Sequence, residues 1–61
     1  MQVRDVRNGL WLRVDGIGDI NVKEVKVLNE YEAVVSYRDR KDGRDKSCII
    51  TERRGVSNFR P

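Results

Sequence analysis

The chain contains no histidine, one cysteine (Cys48) and one proline among its 61 residues. Without histidine, acid–base catalysis at neutral pH would need a carboxylate, lysine or thiol with a strongly shifted pKa. A single cysteine cannot form an intrachain disulfide, and carboxylates alone are an unusual ligand set for zinc. Cys48 itself lies in an apolar segment and is expected to be core filler. We therefore expect no enzyme activity, no metal site and no cofactor.

Long hydrophobic segments are also missing. No apolar run approaches the roughly 20 residues that span a membrane, and the start Met1 to Asp5 lacks the basic-then-apolar order of a secretory signal. So short a chain also leaves little surface for a deep pocket. We expect a cytoplasmic protein with neither a membrane partner nor a small-molecule substrate.

The apolar content is low, at 38%, and equals the charged content, also 38%. The apolar residues are nevertheless regularly spaced, which is not typical of a disordered segment. A chain this short sits near the lower size limit for a self-supporting core. We predict a single modestly stable domain over residues 1–61, with loose ends at about 1–8 and 54–61.

Alternation of apolar and polar residues predicts four strands. They run over Leu10–Val14, Asn21–Leu28, Tyr31–Arg38 and Lys46–Arg53. Val22 breaks the alternation and indicates an irregularity near the start of the second strand. Glycines interrupt every window that could hold a helix, so at most a short helical turn is expected near either end.

The dipeptide Asp42-Gly43, between two alternating segments, is the strongest hairpin signal in the chain. A two-residue type I′ turn there would oppose Tyr37 to Cys48 and Val35 to Ile50. Directly opposed residues share a face, so this register joins the apolar faces of the two strands.

The same register predicts two ion pairs across the hairpin, Asp39 with Lys46 and Arg40 with Asp45. Positive charge is also concentrated in this half of the chain. Residues 1–37 carry five basic and six acidic side chains, a net −1, whereas residues 38–61 carry eight basic and four acidic ones, a net +4. One end of the molecule is therefore expected to be positive.

The preceding hairpin is expected to have a three-residue loop, 29–31. This loop opposes Val27 to Ala33 and Val25 to Val35, whereas a two-residue turn would set charged residues against the core. Asn29 suits the loop because its side chain can hydrogen-bond the local backbone.

The predicted fold class is all-β, either a small SH3-like barrel or a strongly twisted antiparallel sheet of four to five strands. Val34 and Ile49 support it, because they place β-branched side chains on the face opposite the main core. The strand Leu10–Val14, the glycine-bearing loop after it and the three-stranded meander resemble SH3-like small barrels of the Tudor and KOW kind. The resemblance covers residues 10–51 and rests on pattern, so no residue role is transferred.

The basic hairpin makes non-catalytic nucleic-acid binding, to DNA or RNA, the leading functional hypothesis. Several cations at one tip can contact successive phosphates, and an aromatic ring nearby can stack on a base. The candidate binding residues are Arg38, Arg40, Lys41, Arg44, Lys46, Arg53, Arg54, Trp11 and Tyr31. In a barrel, the far end of the fourth strand would lie away from the tip, so Arg53 and Arg54 need not share its surface.

Three alternatives stay open at this point. Aspartates between the basic residues would make the hairpin self-paired and merely solvated. The tail after Arg54 would be either a flexible arm that carries Phe59 or an end that docks Val56 or Phe59 on the core. Trp11 would either cover a second core face or be exposed in a protein-interaction module, a homodimer or a partner site that uses Trp11 and neighbouring apolar surface.

Overall fold

The computed structural model describes every residue from Met1 to Pro61. Seven short strands form two antiparallel sheets, of strand order β2-β1-β7 and β3-β4-β5-β6. The strands are β1 Trp11–Val14, β2 Gly18–Asn21, β3 Glu24–Asn29, β4 Glu32–Arg38, β5 Asp45–Arg53, β6 Val56–Ser57 and β7 Phe59–Arg60. The all-β prediction is confirmed, although four to five strands were expected. No helix in the structure is both long enough and apolar enough to cross a membrane.

The predicted second strand is divided in two by a bend at Val22 and Lys23. Its first residue belongs to β2, which pairs with β1, and the remainder forms β3, which pairs with β4. Val22 breaks the apolar alternation because the bend turns its side chain inward, where it is 1% exposed. The glycine loop before it is a tight hairpin turn, with Gly16 at φ +80°.

The β4–β5 hairpin has its predicted apolar face but not its predicted register. Val35 lies opposite Cys48 and Ala33 opposite Ile50, which is a slip of two residues. An even slip leaves every side chain on its face, so the apolar pattern could not reveal it.

The cause of the slip is a longer connection, residues 39–44, in which Asp39 and Arg44 close a four-residue loop, 40–43. Asp39 N donates to Arg44 O at 2.8 Å and Gly43 N donates to Asp39 O at 2.8 Å. Two carboxylates complete the loop, because Asp39 Oδ1 accepts from Lys41 N at 2.8 Å and Asp42 Oδ1 accepts from Arg44 N at 2.9 Å. These side-chain bonds favour the longer loop over a type I′ turn.

The β3–β4 hairpin forms in the predicted register. Val25 lies opposite Val35 and Val27 opposite Ala33, with an irregularity between Val27 and Asn29. The predicted three-residue loop 29–31 is wrong, because Asn29 ends β3 opposite Glu32 and only Glu30 and Tyr31 form the loop. Asn29 Oδ1 accepts a hydrogen bond from Tyr31 N at 2.8 Å, which is the local backbone contact that the sequence predicted.

The core between the two sheets consists of 11 buried side chains, all apolar. They are Val3, Val6, Leu12, Val14, Ile20, Val22, Ala33, Val35, Tyr37, Ile50 and Phe59. No buried side-chain nitrogen or oxygen atom lacks a hydrogen-bond partner. β1 and β4 therefore bury the faces that their alternation predicted, whereas β3 has no buried residue and Tyr31 is exposed.

Both ends of the chain, which the sequence predicted to be loose, contribute apolar side chains to the core. Val3 begins a 3₁₀ helix, Val3–Asp5, and is 1% exposed, while Phe59 in β7 is 2% exposed. In a core this small, each additional apolar side chain adds a large fraction of the total buried apolar area. Burial of these side chains therefore fixes the ends, although their local sequence has little strand pattern.

The final hairpin, β5–β6, was not predicted at all. Arg53 pairs with Val56, so that only Arg54 and Gly55 form the loop. Their φ angles are +54° and +77°, and positive φ at both central residues is the mark of a type I′ turn. The turn expected at Asp42-Gly43 thus occurs twelve residues later along the chain.

The two sheets meet at two corners but do not close into a continuous barrel. At one corner Lys23 N donates to Ser36 O at 2.8 Å. At the other corner Asn58 N donates to Thr51 O at 3.2 Å and Asp15 N donates to Asn58 O at 2.8 Å, which links β5 to the end of β1. The structure therefore has two antiparallel sheets of three and four strands and no closed barrel.

Candidate nucleic-acid interface

Trp11 and Arg40 form the centre of the candidate surface. Trp11 alternates with the buried Leu12 along β1, so its ring points outward and is 48% exposed. Arg40 is the first residue of the hairpin loop, and its guanidinium carbon lies 4.8 Å from the centre of the Trp11 ring. A guanidinium at this distance is attracted by the negative face of the ring. The stacking pair joins the hairpin tip to the first sheet.

A shallow groove runs between β2 and the hairpin loop beside this pair. Its volume is about 190 Å³, and its lining includes Trp11, Ile17, Asn21, Tyr37, Arg40 and Lys41. Trp11 and Ile17 are both nearly half exposed. The groove thus combines an accessible ring with three cationic side chains and two carboxylates, those of Asp19 and Asp39.

Lys46 is neutralised by the aspartates of the tip. Its Nζ lies 2.8 Å from Asp39 Oδ2 and 3.2 Å from Asp42 Oδ2. The hydrogen bond with Lys46 lowers the pKa of Asp39, and the same bond raises the pKa of Lys46. The predicted Asp39–Lys46 pair is therefore present, although the two residues are not directly opposed in the observed register.

Asp45 binds two cations, neither of which is the predicted partner Arg40. Its carboxylate lies 3.2 Å from Lys23 Nζ and 3.4 Å from Arg38 Nε. The pair with Lys23, and then that with Arg38, lowers the pKa of Asp45. The predicted Arg40–Asp45 pair fails because the register slip places Arg38 opposite Asp45.

Three of the tip cations remain free of ion pairs: Arg40, Lys41 and Arg44. Residues 38–46 hold five basic and three acidic side chains, and Lys23 adds one more positive charge, for a net +3. The tip is therefore partly self-neutralised and still positive.

A second stacking pair lies at the opposite end of the β4–β5 ladder. The Arg53 guanidinium carbon is 5.3 Å from the centre of the Tyr31 ring, and the two side chains line a shallow depression. The seven residues of β4 separate this pair from the tip by about 20 Å at ~3.3 Å per residue. Arg53, Arg54 and Tyr31 thus form a separate cluster from the other six candidates.

Lys23 belongs to the tip, yet the sequence pattern did not mark it. It follows Val22, and the bend there carries it beside Ser36, near the loop end of the hairpin. The break in alternation at Val22 was the available signal in the sequence.

Cys48 packs against the core at its edge, and burial raises the pKa of its thiol.

Together the fold and this surface define a small all-β single domain with an exposed aromatic ring beside a positive hairpin tip. Comparisons of the chain with protein-family models, with curated proteins and with solved structures each gave no match.

Proposed function

We propose that this domain binds nucleic acid without catalysis, through the hairpin tip and Trp11. The observation that supports the proposal most directly is the Arg40–Trp11 stack at 4.8 Å, next to the unpaired cations of Lys41 and Arg44. A planar guanidinium can stack on a ring while its N–H groups donate to a phosphate in the same plane. Arg40 can therefore contact the backbone while the exposed part of Trp11 accepts a base.

Binding of this kind depends on salt and only weakly on base sequence. Each phosphate that a cation neutralises releases counterions, so affinity falls as the salt concentration rises. Stacking adds affinity for any base, because every base has a π face. Arg38 and Lys46 already form ion pairs with aspartates, so they contribute less to phosphate binding. We therefore expect a modest affinity for nucleic acid.

The test is a titration of fluorescently labelled single- and double-stranded DNA and RNA at about 50 and 200 mM salt. We expect measurable binding at low salt that weakens severalfold at the higher salt. Binding no stronger than millimolar at low salt, for all four nucleic acids, would contradict the proposal.

Paired arginine variants locate the site. Arg40→Ala and Arg44→Ala should each weaken binding severalfold, because each removes a cation that no carboxylate neutralises. Arg4→Ala is the matched control, since it removes the same charge from an exposed position that also lacks an ion pair. Equal losses in all three variants would show general charge attraction rather than a site at the tip.

The alternative function is a protein-interaction module that uses Trp11 and neighbouring apolar surface. Ile17 supports it, because it is 45% exposed in the same groove as Trp11, and Ile49 is 50% exposed on the outer face of the second sheet. Trp11→Ala decides between the two functions. Nucleic-acid binding lost in Arg40→Ala and Arg44→Ala but kept in Trp11→Ala favours phosphate contacts at the tip and removes the base-stacking role from Trp11, whose ring would then be available to a protein partner.

For the fold, we infer that the two sheets are the halves of a small SH3-like barrel interrupted at its corners. The bend at Val22 and Lys23 and the bridging residue Asn58 support this interpretation, because both carry hydrogen bonds from one sheet toward the other. Solution NMR tests it: backbone couplings across both corners are expected, and their absence would leave two separate sheets.

A further inference from the structure

The outer edge of β3 has no partner strand, and only its far end, at Val27 and Asn29, lies beside another segment, residues Gln2 and Arg4. β3 ends the order β3-β4-β5-β6, so one side of its backbone has no partner strand. Five of its six residues are exposed, and only Val25 is half-buried. An uncovered edge strand presents a row of N–H and C=O groups to which another strand can add.

The side chains along this edge are self-complementary. Glu24 and Lys26 point to one face of the strand, are both exposed, and form no ion pair within the chain. Val25 and Val27 share the opposite face, and Val27 is 59% exposed. One face of β3 thus carries charges of both signs, and the other face carries apolar side chains.

We propose that β3 pairs with β3 of a second copy of this chain, antiparallel and centred on Val25. In that register Glu24 of each copy lies opposite Lys26 of the other, which makes two ion pairs. Val25 lies opposite its own counterpart, and Val27 of each copy lies opposite Lys23 of the other, just before β3 begins. The interface is isologous, so every favourable contact occurs twice.

Neighbouring registers are less favourable. Opposed residues in an antiparallel pair share a face, so a two-fold register must be centred on a residue and not between two residues. Centring on Lys26 opposes two lysines directly and leaves Glu24 opposite Leu28. Centring on Val27 removes both ion pairs and reaches the irregular backbone between Val27 and Asn29. Charge complementarity therefore selects Val25.

The dimer would be one continuous eight-stranded sheet. Because the two β3 strands run in opposite directions, the two hairpin tips would point in opposite directions, away from the shared edge. Of the cations assigned to the tip, only Lys23 borders this contact, and Trp11, Arg40, Lys41 and Arg44 lie outside it. Each proposal can therefore fail without the other.

Light scattering after size-exclusion chromatography, over a range of protein concentrations, tests the association. We expect a concentration-dependent dimer in the unmodified chain. Glu24→Lys and Lys26→Glu should each weaken dimerisation about tenfold or more, because each sets like charges opposite one another twice. Circular dichroism of each variant checks that it is folded.

Two rescue experiments identify the register. Mixing the Glu24→Lys and Lys26→Glu proteins should restore association as a heterodimer, since one edge is then all basic and the other all acidic at these positions. The double variant with both changes should associate like the unmodified chain. The proposal would be overturned if the chain is a strict monomer at about 1 mM, or if dimerisation is equally strong in all of these variants.

Discussion

Arg40 shows how one side chain connects distant parts of this protein at the residue scale. It belongs to the hairpin loop but stacks on Trp11 of the other sheet, 4.8 Å from the ring centre. The aspartates of the loop bind other cations, so the Arg40 guanidinium is held by an aromatic ring instead of a carboxylate. A cation held in this way keeps its full charge for a polyanion.

Cys48 supports a prediction at the same scale. Its thiol is half-buried against the core, and burial raises its pKa, so the reactive thiolate is scarce at neutral pH. A neutral thiol reagent should label folded Cys48 several times more slowly than the same chain in urea. The measurement is the labelling rate at pH 7.5 by mass spectrometry. Equal rates in the folded and unfolded chain would contradict the burial argument.

At the scale of the element, the hairpins differ in what determines their turns. Local side-chain acceptors at Asp39 and Asp42 select a four-residue loop for β4–β5. Arg54 and Gly55 form a type I′ turn because the short β6 must return beside β5. Side chains within the loop therefore determine the length of the β4–β5 loop, whereas packing of the tail determines the turn between β5 and β6.

Arg54 lies at φ +54°, in the left-handed region that favours glycine and asparagine. Arg54→Asn should stabilise the fold by about 0.5–1 kcal/mol, because asparagine adopts this conformation at lower cost. Urea unfolding followed by tryptophan fluorescence measures the change. Arg44→Asn is the charge-matched control at a position with negative φ and should not stabilise the fold. A loss of stability in Arg54→Asn would contradict the turn assignment.

Asp45 determines how many cations near the β4–β5 loop are free to bind phosphates, because it pairs with two of them. Asp45→Asn releases Lys23 and Arg38 while it removes one negative charge. We expect tighter nucleic-acid binding at low salt and a slope of log affinity against log salt that is steeper by about 1 to 2.

Asp15→Asn is the control, because it removes the same negative charge and releases one cation, Arg60, that lies outside the tip. Its effect on binding should be smaller than that of Asp45→Asn. Equal effects, or no gain in Asp45→Asn, would show that Lys23 and Arg38 do not take part in binding.

For the whole molecule, stability depends on burying the ends of the chain. Val3, Val6 and Phe59 are core residues, although they lie in segments with little strand pattern. The two sheets share this single small core, so each end contributes to the stability of both sheets. Exposed ion pairs add comparatively little at neutral pH.

Acid should destabilise the whole fold through its carboxylates. Ion pairs with Arg13, Lys46 and Lys23 lower the pKa values of Asp19, Asp39 and Asp45 below the ordinary 3.8. A carboxyl whose folded pKa is lowered stabilises the fold above its unfolded pKa, and this contribution disappears as the pH falls through the folded pKa. Urea midpoints should therefore be constant from pH 7 to about 5 and fall below about 4.

High salt should weaken this acid dependence, because all three pairs are exposed and hence screened. Asp39→Asn is the variant to compare, since it should already lack part of the pH dependence. An unchanged urea midpoint down to about pH 3 would show that these pairs do not stabilise the folded state.

The sequence predicted the all-β class, the faces of the strands and the register of β3–β4, because period-two alternation and parity are local properties. It also identified Arg40, Lys41 and Arg44 as tip cations. It could not predict the β4–β5 register, since a slip of two residues preserves every face. It did not predict that Lys23 and Arg38 share Asp45, because that contact depends on the bend at Val22.

What the amino-acid order determined by itself was therefore the alternation, the glycine positions and the concentration of positive charge after Tyr37. Only the tertiary structure decided that both ends enter the core, that Arg40 stacks on Trp11 and that Tyr31 and Arg53 lie apart from the tip. The physical reason is range. Backbone preferences and side-chain alternation act over a few neighbouring residues, whereas burial and ion pairing act between residues that folding alone brings together.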